Sequence, residues 1–301
     1  MRKTTYIAAL CALALLVSAP AVQAEDDAVY QKLMAEKAPT VVSVKFVLNV
    51  KIMRNGAAMG PPQEQSGSAT GVVVDSSGLV MLPGAAFGVG NLGIPRRMRA
   101  QFSIQAVPSN IRVVFPGDTK EYNAVMGAKD SKLGLAFVLI RELGDKKITA
   151  LNTGAVATPK IGQTLYSVDR LDQGFDHAPM VSRAKVAGRV SKPRDMWIVQ
   201  GAGNALGMPL YDSAGSVAGI MVSQEGVGEE SETRPFLLPI DKAAATIKSS
   251  LSKSKDELER ILEEEEEAAA EAEENKADEE KKDEDKGDAD KKDAPKDDGD
   301  K

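Results

Sequence analysis

The sequence predicts an all-β protein built as two small barrels, with a C-terminal helix and a disordered acidic tail. Three observations carry that expectation. Short β-branched and apolar runs recur from Thr40 to Pro239, with turn residues between them and almost no helical periodicity. A break at Gly144 to Lys147 divides those runs into two sets, residues 38–147 and 148–250. After residue 250 the composition changes: residues 251–301 hold 11 basic and 23 acidic side chains, a net −12, and no aromatic residue.

The chain opens with Arg2 and Lys3, then an apolar stretch from Tyr6 to Ala19. The small-x-small pattern Val22-Gln23-Ala24 follows, just before Glu25. This is the form of an export signal over residues 1–24. Fourteen apolar residues fall short of the roughly 20 needed to span a bilayer as a helix, so no stable membrane insertion is expected after cleavage. The mature protein is expected to be periplasmic or secreted. The whole chain is formally −6, the signal contributes +2 and the tail −12, which leaves residues 25–250 at −6 − 2 + 12 = +4. The acidic character therefore belongs to the tail. Cys11, in the signal, is the only cysteine and His177 the only histidine. Disulfide frameworks, Cys or His metal clusters and two-imidazole mechanisms are excluded, and neither metal nor cofactor is expected.

Residues 25–37 form an N-terminal lead-in. Val41 to Leu48 is a partly alternating strand. Gly56 to Ser68, rich in Gly, Pro, Gln and Ser, reads as a surface loop. Gly71 to Leu82 is a hairpin around Asp75-Ser76-Ser77-Gly78. Further strands are expected at 102–106, 111–115, 122–126 and 135–140, completing the first barrel over 38–147. The second barrel and closing helix take 148–250, with strands at 164–168, 184–190, 196–199, 217–222 and 236–239. Asp241 can cap a helix over Lys242 to Leu251 whose apolar face holds Ile247 and Leu251. Leu258, Ile261 and Leu262 extend that stripe, with Ser254 interrupting it. Over 251–301 the chain is a charged helical and then disordered tail, from about Asn275 without apolar residues to offset the ordering entropy.

Four stretches, in order, resemble the trypsin-like serine proteases of the bacterial Do (HtrA) type. Ala38-Pro39-Thr40-Val41-Val42-Ser43-Val44 is similar to that family's opening strand, and Gly67 to Leu82 to the hairpin leading to its catalytic His. Val113-Val114-Phe115-Pro116-Gly117 through Asp130 and Leu135-Ala136 matches the approach to its catalytic Asp. Gly203-Asn204-Ala205-Leu206-Gly207-Met208-Pro209-Leu210 through Ile220 resembles the segment around its nucleophile. The resemblance covers about residues 38–250 and implies two six-stranded barrels with a substrate cleft between them. No PDZ-like module is expected after the body, a departure from most Do-type proteases.

Carried over position by position, the resemblance puts Ala85 where the family has His and Gly134 where it has Asp. The nucleophile falls on Ala205 counted forward from Gly203, or on Leu206 counted back from Pro209, because this loop has one extra residue. The triad needs an oxygen nucleophile, an imidazole to take its proton and a carboxylate to orient the imidazole. Methyl, hydrogen and isobutyl groups supply none of these, and losing the triad costs on the order of 10⁶ in turnover. The resemblance therefore implies a serine endopeptidase fold without its chemistry. The expected function is an exported, catalytically inactive homologue that binds peptides or proteins or regulates a partner. Its binding residues would be those of a vestigial oxyanion and peptide cleft: Gly203, Asn204, Ala205, Leu206 and Gly207.

Two other readings remain open at this point. One is a residual or unconventional serine endopeptidase; the other is an assembly protein that forms an oligomer through the Ile247, Leu251, Leu258, Ile261 stripe. Leu206 and Met208 are candidates to fill the cleft. His177, beside Asp176 in a Gly/Pro-bounded loop, reads as an ordinary loop histidine rather than a relocated base. Gly201 to Gly207 lacks the Lys-Ser/Thr ending of a phosphate loop. Arg96, Arg97 and Arg99, without interleaved aromatics, do not suggest nucleic-acid binding.

Overall fold

A computed structural model of the chain describes residues 20–55, 57–88, 102–202, 205–225 and 233–287, with side chains from 27 to 272. Most of the expected export signal and the Arg96, Arg97 and Arg99 cluster lie outside the described residues. Among the described residues no helix is long and apolar enough to cross a membrane.

The first barrel is formed by β1 (Val41–Arg54), β3 (Gln63–Asp75), β4 (Leu79–Pro83), β5 (Ser103–Val114), β6 (Glu121–Asp130) and β7 (Leu135–Ile140). Their order is β1-β3-β4-β7-β6-β5, and β5 pairs back onto β1 to close the ring; the two-residue strand β2 (Ala57–Ala58) pairs with the end of β1. Alternation along β1 explains the closure. Val42, Val44, Phe46, Leu48 and Val50 point inward and are buried with Val73, Val80, Ile111, Val113 and Val138. Phe46 meets Phe87 edge-to-face, ring centroids 4.8 Å apart. In β7 all six residues are buried, so this strand is covered on both faces. That is why it reads as a continuous apolar run.

The second barrel comprises β8 (Thr164–Arg170), β9 (Pro179–Val190), β10 (Met196–Gln200), β11 (Pro209–Tyr211), β12 (Val217–Glu225) and β13 (Thr233–Pro239). It closes in the order β10-β13-β12-β11-β8-β9. The fold is thus all-β with two barrels, as the sequence predicts, and each is closed by six strands, as the resemblance implies.

Several boundaries differ from expectation. The expected loop 56–68 ends early, because Gln63 to Ser68 continue β3 and pair with Val50 to Lys45. The two expected strands at 102–106 and 111–115 are one strand, β5, with Asn110 at φ 50 along it. The lead-in is helical: α1 (Pro20–Lys37) buries Leu33 completely. Tyr30 stacks edge-on against Tyr166 of β8 at 5.8 Å, and Lys32 Nζ donates to the Ala214 carbonyl at 2.9 Å.

The second barrel is tied to the start of the first by one side chain. Arg170, at the end of β8, donates from Nε to the Val41 carbonyl (2.8 Å), from one terminal nitrogen to His177 O (2.8 Å) and from the other to Ala38 O (3.0 Å). Three carbonyls compensate the partly desolvated guanidinium, whose pKa burial lowers.

The helix α2 (Ile240–Gly287) begins one residue before Asp241, which lies in its first turn rather than capping it. Ile240, Ala243, Ile247, Ser250 and Ser254 are buried, a spacing of three and four that defines one face. Ser254 does not interrupt that face. It is fully buried, and its hydroxyl accepts from the Ala128 amide at 3.1 Å. The Ala128 amide lies where the β6–β7 register shifts, between Met126 and Lys129. A Cβ on Gly127 would lie 2.1 Å from Ser254 Oγ, so the helix rests directly on bare strand backbone. The compact body ends at Lys255. Beyond it, Arg260 pairs with Glu257 and Glu264 one turn to either side.

Candidate functional site

The antiparallel pairing of β4 with β7 brings the first two segments singled out by sequence together. Pro83 pairs with Leu135, and the Gly84 amide donates to the Gly134 carbonyl at 2.8 Å. Ala85 follows in the short 3-10 turn Gly84–Phe87 and is exposed. Gly134 sits at φ +64, where a side chain is strained, and a Cβ built there would lie 2.8 Å from the Cβ of Ser223. Ser223 cannot easily retreat, since its amide donates to the Leu133 carbonyl at 3.0 Å.

The third segment reaches the same place from the second barrel. Gly207, at φ +76, packs so closely on the end of β4 that a Cβ would lie 2.7 Å from Pro83 N and 3.0 Å from the Leu82 carbonyl carbon. Its amide donates to Met221 O at 2.8 Å, and the Met221 amide donates to Met208 O at 2.9 Å. Ala205 and Leu206 immediately precede this contact in the chain. Gly203 and Asn204 lie outside the described residues.

The loop holding these residues is tightly turned. The Ala205 amide donates to Ala202 O at 3.1 Å, and the Met208 amide to Ala205 O at 2.9 Å. Both amides thus have carbonyl partners within the loop. Ala205 is 3 % exposed and Met208 2 % exposed, while Leu206 is half-buried. At the meeting point of the two barrels the sequence-derived positions carry a methyl group (Ala85), a hydrogen (Gly134), and a methyl or isobutyl group (Ala205 or Leu206). Ser223, which sequence reasoning did not single out, sets its Cβ against Gly134. Its only sequence signal is its place six residues beyond Val217 in the strand after the loop.

His177 and Asp169 lie elsewhere. His177, at φ 50 next to Asp176 at φ 53, lines a cavity of about 260 Å³ with Ser43, Phe115, Asp118 and Arg170. The Asp169 carboxyl is pushed up from its usual value by burial, against a hydrogen bond from the Arg170 amide at 2.7 Å and one from the Thr70 hydroxyl. Among the described residues no group of three His, Cys, Asp or Glu is placed to hold a metal ion.

Two closed antiparallel barrels, with segments of both meeting between them, define an all-β double-barrel protein. No protein-family model matches the chain, and no curated protein matches it. Solved structures similar to it include the MamO protease domain from Magnetospirillum magneticum in its apo form, with 17 % identity and a TM-score of 0.41 over 70 % of this chain and 97 % of that one. An inactive mutant form of Rv3671c from M. tuberculosis has 17 % identity and a TM-score of 0.41, over 73 % and 90 % of the two chains. Deg5 has 16 % identity and a TM-score of 0.45, over 73 % and 92 %.

Proposed function

We propose that the chain is an exported protease homologue without peptidase activity, which acts by binding peptide segments or a protein partner. The observation that supports this best is the packing around Gly134. The position where the family resemblance calls for the orienting carboxylate has neither the backbone conformation nor the space for a side chain. Ala85 and Ala205 or Leu206 add neither imidazole nor hydroxyl, so no proton can be taken from a nucleophile at these positions. Ser223 has a hydroxyl, but the residues beside it at the triad positions offer no base.

A vestigial cleft of this kind can still hold an extended peptide along a strand edge, main-chain hydrogen bonds giving affinity and pockets giving selectivity. Met208 is buried in the cleft loop and Leu206 is half-buried, which favours binding at the rim over deep insertion of a side chain. The assembly reading is weaker, because Ile247, one of its four seam residues, is buried in the compact body at 7 % exposure.

The test is incubation of the purified chain with labelled unfolded casein and with a serine-directed phosphonate, alongside an active serine protease. The expected result is neither cleavage nor labelling, together with retention of some members of an immobilised peptide array. Cleavage that persists through purification and is abolished by Ser223→Ala would overturn the proposal.

A further inference from the structure

We propose that the outer face of the first barrel carries a recognition site for an acidic peptide segment, centred on Lys45 and Arg112. The inference goes beyond the cleft and stands whether or not the cleft binds anything. β1 pairs Lys45 with Ser68 of β3 on one side and with Arg112 of β5 on the other. Ser68, Lys45 and Arg112 therefore form one cross-strand row on the face opposite the core, since Phe46 and Val44 point inward. Two like charges directly opposite each other in a sheet repel. The barrel nevertheless keeps them in register, and the β1–β5 ladder shifts just past Lys45, as at a bulge that re-aims a side chain.

A single carboxylate lies between the two cations. Glu121 accepts from Lys45 Nζ at 2.8 Å and from Arg112 at 2.8 Å, and the two cations hold its pKa below the usual carboxylate range. Arg112 is oriented further by Asn110, whose side-chain oxygen accepts from Nε at 3.1 Å. Glu121 thus satisfies one charge of two and leaves a surplus of +1 with spare N–H donors. Lys45 and Glu121 are about two-thirds shielded from solvent, so that surplus is less screened than on an open surface.

These groups line a cavity of about 520 Å³, which also takes in Ser66, Ser68 and, from the second half of the chain, Gln173. Its lining is rich in donors, and Glu121 is the only acidic member among its described residues. That volume lies within the range of ligand pockets and exceeds what one small oxyanion fills. From β3 across β1 and β5 to β6 is three strand spacings, about 14 Å, the length of about four residues of extended chain. A run of Asp or Glu side chains fits both the charge and the span.

The test uses the full chain and fluorescein-labelled hexaglutamate, read by anisotropy at low and moderate salt, with hexaglutamine as control. Saturable binding that weakens with salt is expected. Lys45→Ala combined with Arg112→Ala should weaken it at least tenfold at unchanged melting temperature, and Lys132→Ala should not. Glu121→Gln should tighten it severalfold by removing the competing carboxylate; this readout stands even if the double variant folds poorly. Equal binding of hexaglutamate and hexaglutamine, or no response to either set of substitutions, would overturn the site. Displacement by inorganic phosphate at concentrations matching the peptide's own would overturn the peptide assignment.

Discussion

Gly134→Ala, paired with Ser223→Gly in a double-mutant cycle, tests the packing on which the proposed lack of catalysis rests. Two costs are separable at position 134. The left-handed backbone, φ +64, costs a non-glycine residue roughly 1–2 kcal/mol. The new Cβ, 2.8 Å from the Ser223 Cβ, adds overpacking of about 1–3 kcal/mol, because the Leu133 carbonyl holds the Ser223 backbone in place. Gly134→Ala should therefore lose about 2–5 kcal/mol. For a body of this size that is a fall in melting temperature of about 4–20 °C. Ser223→Gly removes the overlap and leaves the backbone cost, so the double variant should recover about 1–3 kcal/mol relative to the sum of the singles. Urea denaturation of the four proteins measures this directly. A Gly134→Ala variant within about 0.5 kcal/mol of the parent, or a cycle with no coupling, would refute the claim that position 134 has no room for a side chain.

Three further outcomes are expected. Arg170→Ala should destabilise the body by about 2–4 kcal/mol, since it strips three carbonyls of charged donors; Arg170→Lys should recover less than half of this, because an ammonium lacks the planar fork. Ser254→Ala should cost about 1–3 kcal/mol by leaving the Ala128 amide without its acceptor, and Gly127→Ala should cost at least as much unless combined with Ser254→Gly. Both are read from chemical denaturation. For Asp169, burial raises the folded pKa above the unfolded one, so the folded state holds the proton more tightly. Its contribution to stability is then best at pH below the unfolded value, and is lost as pH rises through the folded value. Asp169→Asn should accordingly raise the melting temperature near pH 7 and leave it little changed near pH 3; the reverse ordering in a melting series across pH would contradict the assignment.

Most of the barrel strands could be read from the sequence because their side chains alternate: Val42, Val44, Phe46, Leu48 and Val50 announce one buried face. Gln63 to Ser68 could not, since residues typical of a loop become strand only by pairing with β1, a tertiary effect that overrides propensity. The helix over 20–37 has one faint signal, Tyr30 and Leu33 three apart. Ser254 misleads for a different reason: a polar residue on an apolar stripe suggests interruption, yet its hydroxyl meets a strand amide 126 positions away. At the candidate site the sequence discloses the small residues at 85, 134 and 205, but not that Ser223 fills the space over Gly134. That contact depends on strands from two different barrels.

The docking of Ser254 on Gly127 and Ala128 also bears on the order of events during synthesis. The last turn of the compact body holds an amide in a strand completed long before it. Until translation passes residue 254, that strand amide has only water as an acceptor, and the first barrel remains unsealed at that point. A chain halted short of that point would hold every strand of the first barrel and still lack the contact that covers the Ala128 amide.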